Sequence, residues 1–240
     1  MLSLILEEFC FIGKHTLFSK RFGWLNKKVC AIYSRKNKVF GEIKPEGTEM
    51  KLLEIIGKSD LWRGSFLLNL NFPFLVLTTK DLDRGLHSNE SATSALSSSG
   101  ELKKVFRTFL EQFPSKMDPL EKGVQLVRRI KEKGEHHLYV LSNFHKESFE
   151  KVRSNNEFFS LFDGLCVSAH VGWIKPEKEI YFELKKIIED KIGKQVEFSE
   201  CLFIDDMEEN IVAAKELGMY GVICDDHENV ERYLKELNIL

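Results

Sequence analysis

The chain has 240 residues, is 43% hydrophobic and 30% charged, and sets 35 basic against 37 acidic side chains for a formal charge of −2. That length and apolar fraction support one domain of ordinary size, or one domain carrying an insertion. The balanced charge excludes a global attraction to nucleic acid or to an anionic membrane surface, so neither is expected as a partner and any anion site must be local.

In chain order, the opening stretch MLSLILEEFCFIG is apolar, lacks a basic leader, and carries Glu7 and Glu8. It reads as a buried strand rather than a signal peptide. No run reaches the length of a membrane span. The five cysteines, Cys10, Cys30, Cys166, Cys201 and Cys224, form no C-x-x-C pair, and four lie in apolar runs where a cysteine is a small core residue. A reducing cytoplasm is the expected location. Residues 15–115 are helix-leaning, aromatic and irregular, with Trp24 and Trp62 among them. Within them HSNESATSALSSSG (87–100) has six serines in fourteen residues and reads as a flexible loop that need not pack. The region is taken as a mainly helical cap inserted into a core made of residues 1–14 and 116–240.

From about residue 119 helical and strand patterns alternate. Leu120, Val124, Val127 and Ile130 recur at helical spacing before Gly134, and HLYVL (137–141) follows as a short strand. A helix then opens after LSNFHKES, and FDGLCVS (162–168) gives another strand. Pro176 is placed at the first turn of a helix with Ile180, Leu184, Ile187 and Ile188 on its apolar face. CLFI (201–204), a helix ending at Leu217-Gly218, YGVIC (220–224) and a last helix through Val230, Leu234 and Leu237 complete the series. Apolar strands alternating with helices predict an α/β fold: a Rossmann-like parallel sheet in three layers, with ligands beyond the carboxyl ends of the strands.

Those ends carry chemistry. Ser142 and Asn143 follow one strand, Asp205 and Asp206 follow another, and Lys175 precedes a helix. A hydroxyl, an amide, an ammonium and paired carboxylates at one edge suit a phosphate with a divalent metal. Each element has a plainer explanation. Asp206 with Glu209 matches a capping box, Ser142-Asn143 an ordinary turn, and Lys175-Pro176 a solvated lysine before a helix. Their order and shared position favour the site.

LSNF, SAHVGWIKPEKEIY and CLFIDDMEENIVAAKELG resemble motifs II, III and IV of the haloacid dehalogenase-like (HAD) superfamily, in the subgroup with a helical cap inserted after the first strand. The resemblance is close over roughly residues 117–225. It implies that Ser142 and Asn143 hold a phosphoryl group, that Lys175 neutralises it, and that Asp206, supported by Asp205, ligates Mg²⁺. It also implies a motif I aspartate in D-x-D-G-[TV] near the N-terminus. The best register there, EFCFIGKHT, sets Cys10 at the nucleophile and Ile12 at the acid/base position. A second, IYSRKNKVF (32–40), offers Ser34 and Lys36. Asp81 and Asp83 in TTKDLDRG form a literal D-x-D but lie three polar residues beyond the strand-like FPFLVL, and read as a solvated loop.

A thiol at Cys10 would give Mg²⁺ no hard oxygen and would form no acyl phosphate. The expectation is therefore a HAD-like protein with a phosphate and Mg²⁺ site but weak or absent turnover, serving a binding or regulatory role with the cap as contact surface for a protein partner or a small phosphorylated molecule. The alternative is an active Mg²⁺-dependent phosphatase on a small phosphorylated metabolite, its nucleophile supplied by Asp81, Glu7 or Glu8. A dehalogenase on the same fold needs the same aspartate.

Overall fold

Ser3–Leu6 forms strand β1, the middle strand of a five-stranded sheet in the computed structural model. Residues 3–6, 80–95, 100–224 and 226–240 are described. The readings made above for Cys10, for Ser34 and Lys36, and for the rest of residues 15–79, Trp24 and Trp62 included, lie outside them.

The sheet order is β3-β2-β1-β4-β5, with β2 at His137–Ser142, β3 at Gly164–Val167, β4 at Cys201–Asp205 and β5 at Tyr220–Ile223. Every pairing is parallel, with Leu6 level with both Val140 and Ile204. Alternation along the strands sends side chains to two covering layers. Leu138, Val140, Leu202 and Ile204 pack with helices α3 (Glu121–Lys133), α4 (Lys146–Asn155) and α8 (His227–Glu236). Tyr139, Leu141, Cys201 and Phe203 pack with α6 (Lys178–Ile192) and α7 (Glu208–Glu216). Each fully buried aliphatic side chain in these layers contributes about 1.5–3 kcal/mol. The expected doubly covered parallel sheet is therefore the observed one. The chain leaves β1 toward β2 and β3 and returns to its other side at β4, and such a reversal opens a crevice at the strands' carboxyl ends.

Several details differ from expectation. The serine-rich stretch is not a loop throughout: Asn89–Ala95 is helix α1, with Ala92 and Thr93 buried. Ser88 Oγ accepts from Ser91 N at 3.1 Å, an N-cap contact that starts the helix. Helix α2 (Gly100–Gln112) follows, and a short 3-10 turn, Phe113–Lys116, leads from it to the core. Lys151 Nζ on α4 donates to Glu111 O at 2.8 Å, and Leu110 is buried, so the end of α2 is attached to the core. Strand β5 is an edge strand, with Tyr220 54% and Ile223 43% exposed, rather than buried on both faces. Cys166, Cys201 and Cys224 are free and buried, as core cysteines. Burial pushes the Cys166 and Cys201 thiols up to about 12.

Candidate functional site

Strand β2 ends in Ser142, fully buried, with Asn143 next; β4 ends in Asp205, fully buried, with the half-buried Asp206 next. Because the strands are parallel, these residues meet at one edge. Lys175 reaches the same point from the loop after helix α5 (Ser168–Val171). It is 4% exposed, and its Nζ donates to Leu141 O at 2.9 Å and to Asp205 Oδ2 at 2.9 Å.

Two adjacent acids at the end of a buried strand should repel, and the hydrogen bonds show how one of them is accommodated. Asp205 Oδ1 accepts from Met207 N at 2.7 Å and from Asn210 Nδ2 at 3.0 Å; Oδ2 accepts from Lys175 and, at 3.0 Å, from Asn210 Nδ2. Asn210 is held in turn by Tyr181, whose hydroxyl donates to Asn210 O at 2.9 Å. A buried carboxylate with a cation, an amide and a backbone N–H around it has the compensation that burial demands. Burial pushes the Lys175 ammonium below the ordinary lysine range; Asp205 opposes that shift, as does the charge of Asp206 to a smaller extent. Phe203 adds its ring face 5.6 Å from Nζ.

The loops are bracketed together. Asn143 Oδ1 accepts from Lys175 N at 2.8 Å, and its Nδ2 donates to Lys175 O at 3.0 Å, so the side chain after β2 clasps the backbone that carries the lysine. Ser168 Oγ, fully buried at the start of α5, accepts from Phe144 N at 2.9 Å and braces the same turn. The capping-box reading of Asp206 does not hold: the N-cap of α7 is Met207, with no side-chain cap, because the turn is closed by Asp205 instead. Pro176 precedes α6 rather than opening it. Glu177 is the N-cap, its backbone extended and its carboxylate turned to Ile174 N at 3.2 Å and to Arg84.

Asp81 and Asp83 are not in a solvated loop. Residues 80–83 are helical, Leu82 is buried, and Asp83 Oδ1 lies 3.9 Å from His145 Nδ1 in a recess that leaves its side chain 32% exposed. Burial in that recess raises the Asp83 pKa against the opposing influence of His145. The contributions of Ser168, Arg84 and Glu177 were not anticipated; Arg84 and Glu177 lie 93 positions apart, and no local pattern links them.

Among the described residues no group of three His, Cys, Asp or Glu side chains stands ready to hold a metal ion. Asp205 is held by Lys175, Asn210 and Met207 N, and the half-buried Asp206 next to it is a carboxylate of the type that could hold a hard cation such as Mg²⁺. No helix of the described residues is long and apolar enough to cross a membrane.

The chain is 29% identical over 160 residues to the drimenol cyclase drtB of Aspergillus calidoustus, covering 65% of this chain and 29% of that protein. It is 32% identical over 108 residues to the sesquiterpene phosphatase astK of Aspergillus oryzae, covering 45% of this chain and 52% of that one. The chain thus spans about half of one curated relative's length and less than a third of the other's. Among solved structures, the HAD family enzyme bt-2542 of Bacteroides thetaiotaomicron superposes with a TM-score of 0.57 at 16% identity over 93% of both chains, and has also been solved as a magnesium complex. A HAD-like hydrolase from Porphyromonas gingivalis gives 0.55 at 18% identity over 99% of this chain and 98% of that one. At these identities the likeness shows the fold. Residues 33–218 match the family description haloacid dehalogenase-like hydrolase, and the chain belongs to that family.

Proposed function

We propose that this chain is a Mg²⁺-dependent phosphatase of the HAD type acting on a phosphate ester of a terpenoid alcohol. The observation that carries the reading is the buried Lys175–Asp205 pair beside Ser142 at the strand ends. A desolvated ammonium held in place by a carboxylate offers an anion a fixed positive charge in low dielectric, where it acts more strongly than in water. In this reading Lys175 neutralises the phosphoryl group, the Ser142 hydroxyl donates to one of its oxygens, and Asn143 holds the Lys175 loop in register. Asp206 would hold Mg²⁺ through its carboxylate, as the motif resemblance implies. When bound, the ion would offset charge on the phosphoryl oxygens. The substrate class rests on similarity to a sesquiterpene phosphatase and a drimenol cyclase, and extends to this chain as part of the proposal.

In this reading the attacking carboxylate is Glu8, one of the two acids that follow β1 in the sequence. Leu6 is level with Ile204, and Glu7 and Glu8 follow Leu6 in sequence as Asp205 and Asp206 follow Ile204. Glu7 and Glu8, like Cys10, lie outside the described residues. A second reading, phosphate binding without turnover, is favoured by one observation: the first aspartate in the sequence is Asp60.

The experiment assays purified protein on an aryl phosphate and on a C15 isoprenoid monophosphate, with and without Mg²⁺, beside Glu8→Gln and Asp206→Asn. Mg²⁺-dependent turnover lost in both variants supports the first reading. A Mg²⁺-dependent rise in melting temperature on adding phosphate, without turnover, supports the second. Neither response overturns both.

A further inference from the structure

Residues 80–91 are fastened across the same rim. Arg84 pairs with Glu177 through both terminal nitrogens: Nη1 donates to Oε2 at 2.9 Å and Nη2 donates to Oε1. Nη1 also lies 3.4 Å from Gly172 O. Gly85, at φ +73°, sits so close to Ala169 that an added Cβ would stand 2.3 Å from its carbonyl oxygen. Toward β2, Asn89 N donates to Glu147 Oε1 at 3.2 Å, and Asp83 faces His145.

The Arg84 contacts converge on the loop that carries Lys175. Its backbone is held on one side by Asn143, at the N and O of Lys175 itself. On the other side Glu177 accepts from Ile174 N, while Arg84 grips Glu177 and reaches Gly172 O. An isolated surface ion pair would add little. This one is bidentate, about a quarter to a third exposed on each side, and tied to a backbone N–H, which is the geometry in which an arginine fixes orientation.

We propose that Arg84, acting through Glu177, is a positioning residue for Lys175, so that seating of residues 80–91 on the rim sets the placement of the ammonium that receives the phosphoryl group. The functional part rests on the phosphatase reading; the mechanical part does not. Burial alone would raise the Glu177 pKa, but the Arg84 hydrogen bond, the Ile174 N–H, and the charges of Arg84 and Lys80 hold it below the ordinary glutamate value. The carboxylate therefore stays ionised under the guanidinium.

Hydrogen exchange by mass spectrometry on the full chain tests this, comparing wild type with Arg84→Ala, Arg84→Lys and Glu177→Gln. Arg84→Ala is expected to speed exchange of the peptide 172–178 about tenfold while peptides from β2 and β4 keep their rates. Arg84→Lys, which keeps the charge but loses the fork, is expected to fall between. Where wild type turns over, Arg84→Ala should lower kcat about tenfold with KM within about twofold, because the lysine acts on charge developed in the transition state. Wild type without turnover would remove the phosphatase reading and leave the exchange result to decide. Unchanged exchange in 172–178 for both Arg84→Ala and Glu177→Gln, or acceleration spread evenly over the chain, overturns the proposal.

Discussion

Replacing Lys175 by methionine keeps the length of the side chain but removes the ammonium from a fully buried carboxylate. Asp205 then retains Met207 N at 2.7 Å and Asn210 Nδ2 at 3.0 Å, and loses the cation at 2.9 Å. At an effective dielectric of about 20 that contact carries roughly 6 kcal/mol of Coulomb attraction. Much of this is offset by the desolvation both groups already bear, and removing one member of a buried pair costs about 3–5 kcal/mol in measured cases. For a chain of this size about 2–4 °C accompanies each kcal/mol, so the melting temperature should fall by about 6–20 °C. Urea denaturation followed by circular dichroism gives the free energy directly. The double variant Lys175→Met with Asp205→Asn should recover part of the loss, because a neutral amide leaves no stranded charge while its oxygen still accepts from Met207 N or Asn210 Nδ2. A single variant within about 1 kcal/mol of wild type, or a double variant worse than the single, would refute the view that these charges are mutually dependent.

Asp206→Asn should abolish Mg²⁺ stimulation of turnover while moving the melting temperature by no more than about 2 °C, read in paired activity and thermal-shift assays. Gly85→Ala should cost about 1–3 kcal/mol, since its Cβ would meet Ala169 O at a positive φ. Gly134→Ala, also at positive φ but with nothing within 4 Å of the added Cβ, is the control and should cost less. The stabilisation that Glu177 lends is present above its ordinary value of 4.5 and is lost as pH falls through its lower folded pKa. Denaturation of wild type and Glu177→Gln across pH 7 to 3 should therefore show their difference closing only on the acid side of about 4.5.

The parallel sheet and the meeting of Ser142, Lys175 and Asp205 were legible because strand ends in an α/β sheet share one edge, and short apolar runs locate those ends. The roles within the cluster were less so. The resemblance implied that Asp205 supports Asp206, and only the hydrogen bonds show what Asp205 holds: Lys175, Asn210 and Met207 N. Composition misled at 87–100, where six serines outweighed the capping signal at Ser88 and the burial of Ala92 and Thr93 within α1. The capping box at Asp206 failed because Asp205 took the same turn. The Arg84–Glu177 clasp had no sequence signature, being a tertiary contact between segments that no periodicity joins.

In the proposed function this rim binds and hydrolyses a phosphate ester with Asp206 serving the metal. Inorganic phosphate released from a C15 isoprenoid monophosphate, measured with Mg²⁺ and again after chelation, tests it most directly. Release that stops on chelation and in Asp206→Asn is the predicted result; release indifferent to both, or no release at all, would contradict it.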